Sequence, residues 1–329
     1  MLDKSYFHPI RLYEAVYRLI HPAEQRQQRL CFAPERRYNR TRGDTMSKIA
    51  WIGTGVMGKS MVSHLLNQGD EVTVYNRTAA KAEALKEKGA QVAYTVADAV
   101  KDADLIFTIV GFPKDVEEVY AEIFKAAKPG ALAVDMTTSS PSLAVKLHQQ
   151  GKEHQIRVLD APVSGGDSGA AAGTLSIMVG GEEADFNACL PYFNKMGKSV
   201  LRMGPAGCGQ HTKMANQIAI AGTVSAVAEA IVYAKANGLD PEKLLGAISK
   251  GAAGSWQMSN NGVKMLQEDY NPGFFIKHFI KDMRLAKEAA TAQNVELPVL
   301  EIVLSMYEQM QDAGEGDLGT QAIIKHYEK

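Results

Sequence analysis

The sequence predicts a doubly wound α/β domain with a mostly parallel sheet, followed by an all-α domain. Three observations predict it. From Lys48 to about Thr174, short apolar strands alternate with helical stretches, the pattern of a parallel sheet with helices on both faces. The first strand runs into Gly53, Gly55 and Gly58, spaced G-x-G-x-x-G and followed by a helix. That context turns a common glycine pattern into the dinucleotide-binding fingerprint of a Rossmann domain. From about Gln210 strand signals stop and helical periodicity runs to the end. The expected boundaries are 1–45 for an extension outside the core, 46–206 for the Rossmann domain and 207–329 for the helical substrate and oligomerisation domain.

In order, "KIAWI" is the first strand and the helix after it spans about Val56 to Asn67. "EVTVY" precedes the helix "AAKAEALKEKG". "DLIFTIV" precedes "DVEEVYAEIFKAAKPG", with Gly130 placed to stop that helix. "ALAVDM" precedes "PSLAVKLHQQG", where Ser140 is the expected N-cap and Pro141 the first helical residue. "RVLDAPV" is a further strand. "TLSIMVGG" and "SVLRMG" are strands around the helix "EEADFNACLPYFNKM".

Composition narrows the setting. Apolar residues make up 46% of 329, enough for a sizeable core, and the net charge of −1 gives no electrostatic reason to expect nucleic acid or an anionic membrane. Cys31, Cys189 and Cys208 are odd in number and far apart. They fit a reducing, cytoplasmic compartment with neither a disulfide framework nor metal spacing. "IAIAGTVSAVAEAIVYA", from Ile218, is long enough to span a membrane but contains Glu229 and reads as a buried helix. The first 45 residues are rich in arginine, yet Glu14, Glu24 and Glu35 count against a mitochondrial presequence. "MSKIAWIG", at Met46, has the look of an ordinary start.

The glycines have distinct expected tasks. Gly53 permits the tight turn, Gly55 lets the backbone approach a pyrophosphate at the helix N-terminus, and Gly58 lets the helix pack on the strand. Thr54, Val56 and Met57 complete that cofactor loop. A carboxylate at the end of the second strand would select NAD through the ribose hydroxyl. Asn76, Arg77 and Thr78 stand there instead. Arg77 suits a 2′-phosphate, so NADP(H) is the expected cofactor and NAD(H) the alternative.

"DAPVSGG" places Ser164, Gly165 and Gly166 at a strand end, where backbone N–H groups can cup an anion; the plainer reading is a flexible connection. In "GCGQHTKMANQ", Lys213 and Asn216 are three apart on one helix face. A lysine among small apolar neighbours loses solvation and can exchange a proton near neutral pH, although most lysines are simply surface groups. His211 and Cys208 have no evident chemical partner and read as structural. Lys281 and Asp282, at the head of a later helix, suit a solvated charged face with Arg284 and Lys287. Trp256, Phe274, Phe275 and Phe279 are core or pocket-wall residues, with core preferred.

"GTGVMG", "DAPVSGG", "GQHTKMANQ" and "IKDMRLA" occur in this order. Together they resemble the 3-hydroxyisobutyrate dehydrogenase family of β-hydroxyacid dehydrogenases. That group includes tartronate semialdehyde and glyoxylate/succinic semialdehyde reductases and, more distantly, 6-phosphogluconate dehydrogenase. The resemblance covers Met46 to about Tyr327 and implies two domains joined by a long helix, with the active site between them. It implies Lys213 as proton donor and acceptor, Ser164, Gly165 and Gly166 as the substrate-carboxylate site, and Asn216 as a substrate-orienting group. It also implies that Lys281 reaches cofactor and substrate, and that Thr138 contacts the nicotinamide end. Val110 and Gly111 stand where the family usually has leucine and proline, and Val110 counts with the nicotinamide side. "NRT" resembles the NADP-preferring members. The expected partners are a small hydroxyacid or semialdehyde carboxylate and further copies in a homodimer or homotetramer; no metal is expected. Two rivals are a non-catalytic dinucleotide-binding protein, against which the Lys213–Asn216 pair counts, and an imine reductase, a class that typically lacks the lysine.

Overall fold

The computed structural model describes residues 47–328; the expected extension over 1–45 lies outside them. The first half contains β1 (Ile49–Ile52), α1 (Val56–Asn67), β2 (Val72–Tyr75), α2 (Ala79–Glu83), β3 (Gln91–Val92), α3 (Val96–Val100), β4 (Leu105–Thr108), α4 (Pro113–Ala126), β5 (Leu132–Asp135), α5 (Pro141–Glu153) and β6 (Arg157–Asp160). It continues through β7 (Val163–Ser164), α6 (Gly166–Ala172), β8 (Leu175–Gly180), α7 (Glu183–Met196) and β9 (Gly197–Gly204). The second half is helical: α8 (Cys208–Ala236), α9 (Pro241–Ile248), α10 (Gly262–Leu266), α11 (Ile276–Thr291), α12 (Pro298–Asp312) and α13 (Ile324–Tyr327).

The sheet order is β3-β2-β1-β4-β5-β6-β8-β7, with β9 added to β8. Pairing is parallel from β3 to β6 and between β8 and β9, and antiparallel where β8 meets β6 and β7. The order reverses between β1 and β4, so the carboxyl ends of these two strands form the crevice where such sheets bind ligands. Strands β1, β4 and β5 are buried along their whole length because helices cover both faces. Trp51, Phe107 and Val134 pack with Met61, Leu65 and Phe193 on one face. Ala50, Ile52 and Ile106 pack with Tyr120, Ile123 and Leu143 on the other.

Helix α8, 29 residues long, runs from the sheet domain through the helical one. Its length and composition would allow a membrane crossing, but Val224, Val227, Ala228 and Ile231 are buried with residues of α11 and α12. It is the core helix of the second half. Its start sits tight on the sheet: a Cβ at Gly209 would lie 2.4 Å from the Met178 carbonyl oxygen. Asp160, at the end of β6, accepts hydrogen bonds from Gly207 N (2.8 Å) and Gln210 N (2.9 Å) and so caps the helix from another strand.

Several local expectations need correction. Helix α4 ends at Ala126, four residues before Gly130, because Lys128 precedes a proline and is disfavoured in the helical region. Gly130, at φ +84°, turns the chain afterwards. The helix expected through "AAKAEALKEKG" breaks after Glu83 into a 3₁₀ turn, Lys86–Lys88. The segment after it holds the two-residue β3 and the one-turn α3, both too short to show periodicity. Trp256 is 60% exposed, whereas Phe279 is fully buried. Ser140 does cap α5, accepting from Leu143 N at 3.1 Å, with Pro141 first in the helix.

Asp135, at the end of β5, is buried and accepts from Thr108 Oγ1 (2.9 Å) and Thr137 N (3.0 Å), both on Oδ1. Burial pushes its carboxyl from 3.8 up to about 6, the two threonines pull it back, and the nearby Asp160 pushes it further up. The folded chain therefore holds this proton more tightly than the unfolded chain. As pH rises from about 4 to 6 the unfolded chain ionises first, and stability falls over that window. Asp135→Asn keeps the Oδ1 acceptor without the charge. It is expected to raise urea-unfolding stability by about 2–3 kcal/mol at pH 7.5 and by almost nothing at pH 4. An equal gain at both pH values would show that the charge is not the cause.

Candidate active site

The glycine loop lies between β1 and α1. Gly53 has φ +101°, and a Cβ there would lie 2.0 Å from the Ile109 carbonyl oxygen. A Cβ on Gly58 would lie 2.0 Å from the Gly53 carbonyl oxygen. Packing alone explains these two glycines. A Cβ on Gly55 would meet nothing within 4 Å among the described residues, which leaves the bare backbone there open to an approaching group. Gly55 is the N-cap of α1, makes no side-chain cap, and no acid stands in the first turn. Thr54 Oγ1 is buried without a hydrogen-bond partner among the described residues, while Thr54 N donates to Asn76 Oδ1 at 3.0 Å. An uncapped helix start, an open approach and an orphaned hydroxyl fit the pyrophosphate of a dinucleotide. Val56 and Met57 lie in the first turn, with Val56 exposed.

Asn76 ties the "NRT" turn to this loop, its Nδ2 donating to the Thr78 carbonyl at 3.0 Å. Arg77 is exposed and pairs with Asp115 of α4 at 3.2 Å. Val110 N donates to Thr137 Oγ1 at 3.0 Å, which joins the turn after β4 to the turn after β5.

A second group converges from both halves of the chain. Ser164 Oγ donates to Asn216 Oδ1 (3.4 Å) and Asn216 Nδ2 to Gln217 Oε1 (2.7 Å). Gln217 Nε2 donates to Asp282 Oδ2 (2.7 Å), and Lys281 Nζ lies 3.0 Å from Asp282 Oδ1. Lys281 Nζ also donates to the Thr138 carbonyl. The string thus links Ser164, Asn216, Lys281 and Thr138 through two residues that the sequence did not single out for chemistry. Gly165 (φ +134°) and Gly166 (φ +64°) follow Ser164 and open α6, so the segment is a turn into a helix rather than the plainer flexible connection. Lys281 and Asp282 lie in the second turn of α11, and Asp282 is 1% exposed, which corrects the expectation of a solvated face. Arg284 and Lys287 form that face, paired with Glu308 and Glu301.

Lys213 is 6% exposed, on the same face of α8 as Asn216 and Gln217, and its ammonium makes no hydrogen bond among the described residues. Burial lowers it from 10.5 to about 8; the Asp282 charge opposes this and the Lys281 charge adds to it. Gln210, one turn earlier and fully buried, grips the segment beside Thr138. It accepts from Ser139 N (3.0 Å) and donates to the Thr137 carbonyl (2.7 Å). Gln210, Gln217, Asp160 and Asp282 were missed as working residues because the contacts that tie them across the fold, to Thr137, to each other and to the start of α8, span 47 to 73 positions. His211 is exposed and Cys208 half-buried, with no metal-binding group among the described residues.

A glycine-rich helix start at the switch point of a parallel sheet, followed by a helical half that carries a buried lysine, is the arrangement of NAD(P)-dependent oxidoreductases. Comparison with known proteins agrees. Residues 48–204 match the NAD binding domain of 6-phosphogluconate dehydrogenase, and residues 207–327 match the NAD-binding domain of NADP-dependent 3-hydroxyisobutyrate dehydrogenase. The uncharacterised oxidoreductase YkwC of Bacillus subtilis is 54% identical over 85% of this chain and 99% of its own length. The Arabidopsis thaliana protein named 3-hydroxyisobutyrate dehydrogenase-like 1 is 44% identical over 86% of each chain. Among solved structures, a Mycobacterium tuberculosis 3-hydroxyisobutyrate dehydrogenase with L-serine superposes with a TM-score of 0.81 at 30% identity. That match covers 87% of this chain and all of that one. The chain belongs to the 3-hydroxyisobutyrate dehydrogenase family.

Proposed function

We propose that this chain interconverts a small β-hydroxyacid and its semialdehyde, with Lys213 as the proton donor and acceptor. The observation that supports this most is the buried Lys213, with its pKa near 8, on the helix face that also presents Asn216. A bound nicotinamide would supply the hydride chemistry; Gly53 to Gly58 would hold its pyrophosphate, and Thr138 and Val110 would flank its reactive end. In oxidation Lys213 takes the proton of the substrate hydroxyl. In reduction it returns that proton to the oxygen. Asn216 orients that oxygen, Ser164 with the N–H groups of Gly165 and Gly166 receives the carboxylate, and Lys281 adds positive charge beside it. NADPH or NADH consumption with glyoxylate, succinic semialdehyde and tartronate semialdehyde tests the reading, alongside oxidation of 3-hydroxyisobutyrate and L-serine. Cofactor binding without turnover of any of them would favour a non-catalytic binding protein.

In this reading NADP(H) is preferred, because Arg77 rather than a carboxylate follows β2. Arg77→Asp is expected to weaken NADPH at least tenfold, one charged hydrogen-bonded contact, while NADH changes little. Equal affinity of the unaltered chain for the two cofactors would refute it. We also propose a cytoplasmic homodimer or homotetramer, supported by the scattered cysteines and by Tyr233, Val299 and Ile302 exposed on the helical half.

A further inference from the structure

We propose that Asp115 is a selectivity-setting residue that restrains NADPH binding through Arg77; this rests on the reading of Arg77 as the 2′-phosphate group. Arg77 is 84% exposed at its side chain and holds Asp115 by a single nitrogen, Nη1, at 3.2 Å. With the arginine this exposed, the pair adds little to stability, so its structural contribution does not account for the arrangement. The asymmetry of the pair is informative. Arg77 is free to swing, whereas Asp115 is held. Its side chain is 22% exposed, and its second oxygen, Oδ2, accepts from Phe112 N at 3.0 Å at the start of α4. That is half of a capping box, which the phenylalanine side chain cannot reciprocate.

The turn before α4 also favours this position. A Cβ on Gly111 would stand 3.1 Å from Asp115 Oδ2, tighter than ordinary contact. The glycine that stands in place of the family's usual proline therefore leaves room for the carboxylate to fold back over the turn. A 2′-phosphate drawn to Arg77 arrives beside a carboxylate that cannot retreat. The same carboxylate does not penalise NADH, which has no charge there. It therefore lowers the NADP preference set by Arg77 rather than reversing it. A carboxylate ~6 Å from a phosphate dianion in watery surroundings weakens binding by roughly three- to tenfold.

The test uses the full chain and titrates NADPH and NADH by fluorescence. Asp115→Asn keeps an oxygen for Phe112 N and removes the charge. It should tighten NADPH about three- to tenfold at low salt and leave NADH within about twofold, with the gain shrinking at high salt. In an Arg77→Ala background the same substitution should gain at most about twofold, because the phosphate is no longer drawn there. Asp115→Ser, which also offers an acceptor at this position, should reproduce the gain if the charge is responsible. Unchanged or weaker NADPH binding in Asp115→Asn, with Arg77→Ala still weakening NADPH, would overturn the proposal and leave the Arg77 reading standing. If Arg77→Ala leaves NADPH affinity intact, the Arg77 reading falls and this proposal falls with it.

Discussion

Lys213→Ala is expected to lower kcat by roughly 10²–10⁴-fold, the usual range for a general acid–base group, while NADPH affinity barely changes. The glycine loop proposed to hold the pyrophosphate lies between β1 and α1, and Lys213 stands on α8. The arginine variant is the more informative one. Arginine retains the charge but cannot release a proton near neutral pH, so Lys213→Arg should rescue little. If Lys213 only attracted the carboxylate, arginine would restore kcat and leave the defect in KM. Near-normal kcat in Lys213→Arg would refute the proton relay. The pH dependence supplies a second check. With the ammonium at about 8, oxidation requires the neutral amine and should rise with pH through that value. Reduction requires the ammonium and should fall through it.

Asp160→Ala is the second large expected effect, on stability. The carboxylate satisfies two buried backbone donors at the start of α8, Gly207 N and Gln210 N. Leaving a buried donor unsatisfied costs about 1–3 kcal/mol. Burial already pushes the Asp160 carboxyl up, so losing the charge returns part of that cost. A net loss of about 3 kcal/mol follows, read as a lower urea midpoint at unchanged slope. A change below about 0.5 kcal/mol, the size of an ordinary surface substitution, would show that water replaces the carboxylate at the helix start. Because Gln210 also holds the Thr137–Ser139 segment, the folded fraction should lose turnover as well.

The parts of the fold legible in the sequence are those written in local code. Helix α1 could be placed from Val56 to Asn67 because the glycine turn and an apolar stripe bracket it. Helix α5 could be started at Pro141 because its cap and first residue are adjacent in the chain. Elements of two to five residues, β3 and α3, have no period to read. The helix inside "GGDSGAAAG" was hidden because glycine and small residues read as a loop, while packing on α1 orders it. In the site, Lys213 and Asn216 stood out because they share a helix face. Asp160, Gln210, Gln217 and Asp282 act across the fold, and a polar residue in a sequence carries no mark of whether it will be buried. Asp282 is the clearest case. Among Lys281, Arg284 and Lys287 it reads as one more surface charge, yet it is buried and held by Gln217 and Lys281.

The joint between the halves has an evolutionary consequence. One carboxylate grips main-chain N–H groups, and Gly209 lets helix and strand touch backbone to backbone. At the helix start itself the contact makes almost no demand on side chains other than Asp160. Sequence change at the wider interface can therefore accumulate without moving the helix start against the sheet. Lys213 keeps its register to the sheet because α8 is anchored on the first half before it enters the second. Residues farther along the helical side can be exchanged while that register is kept.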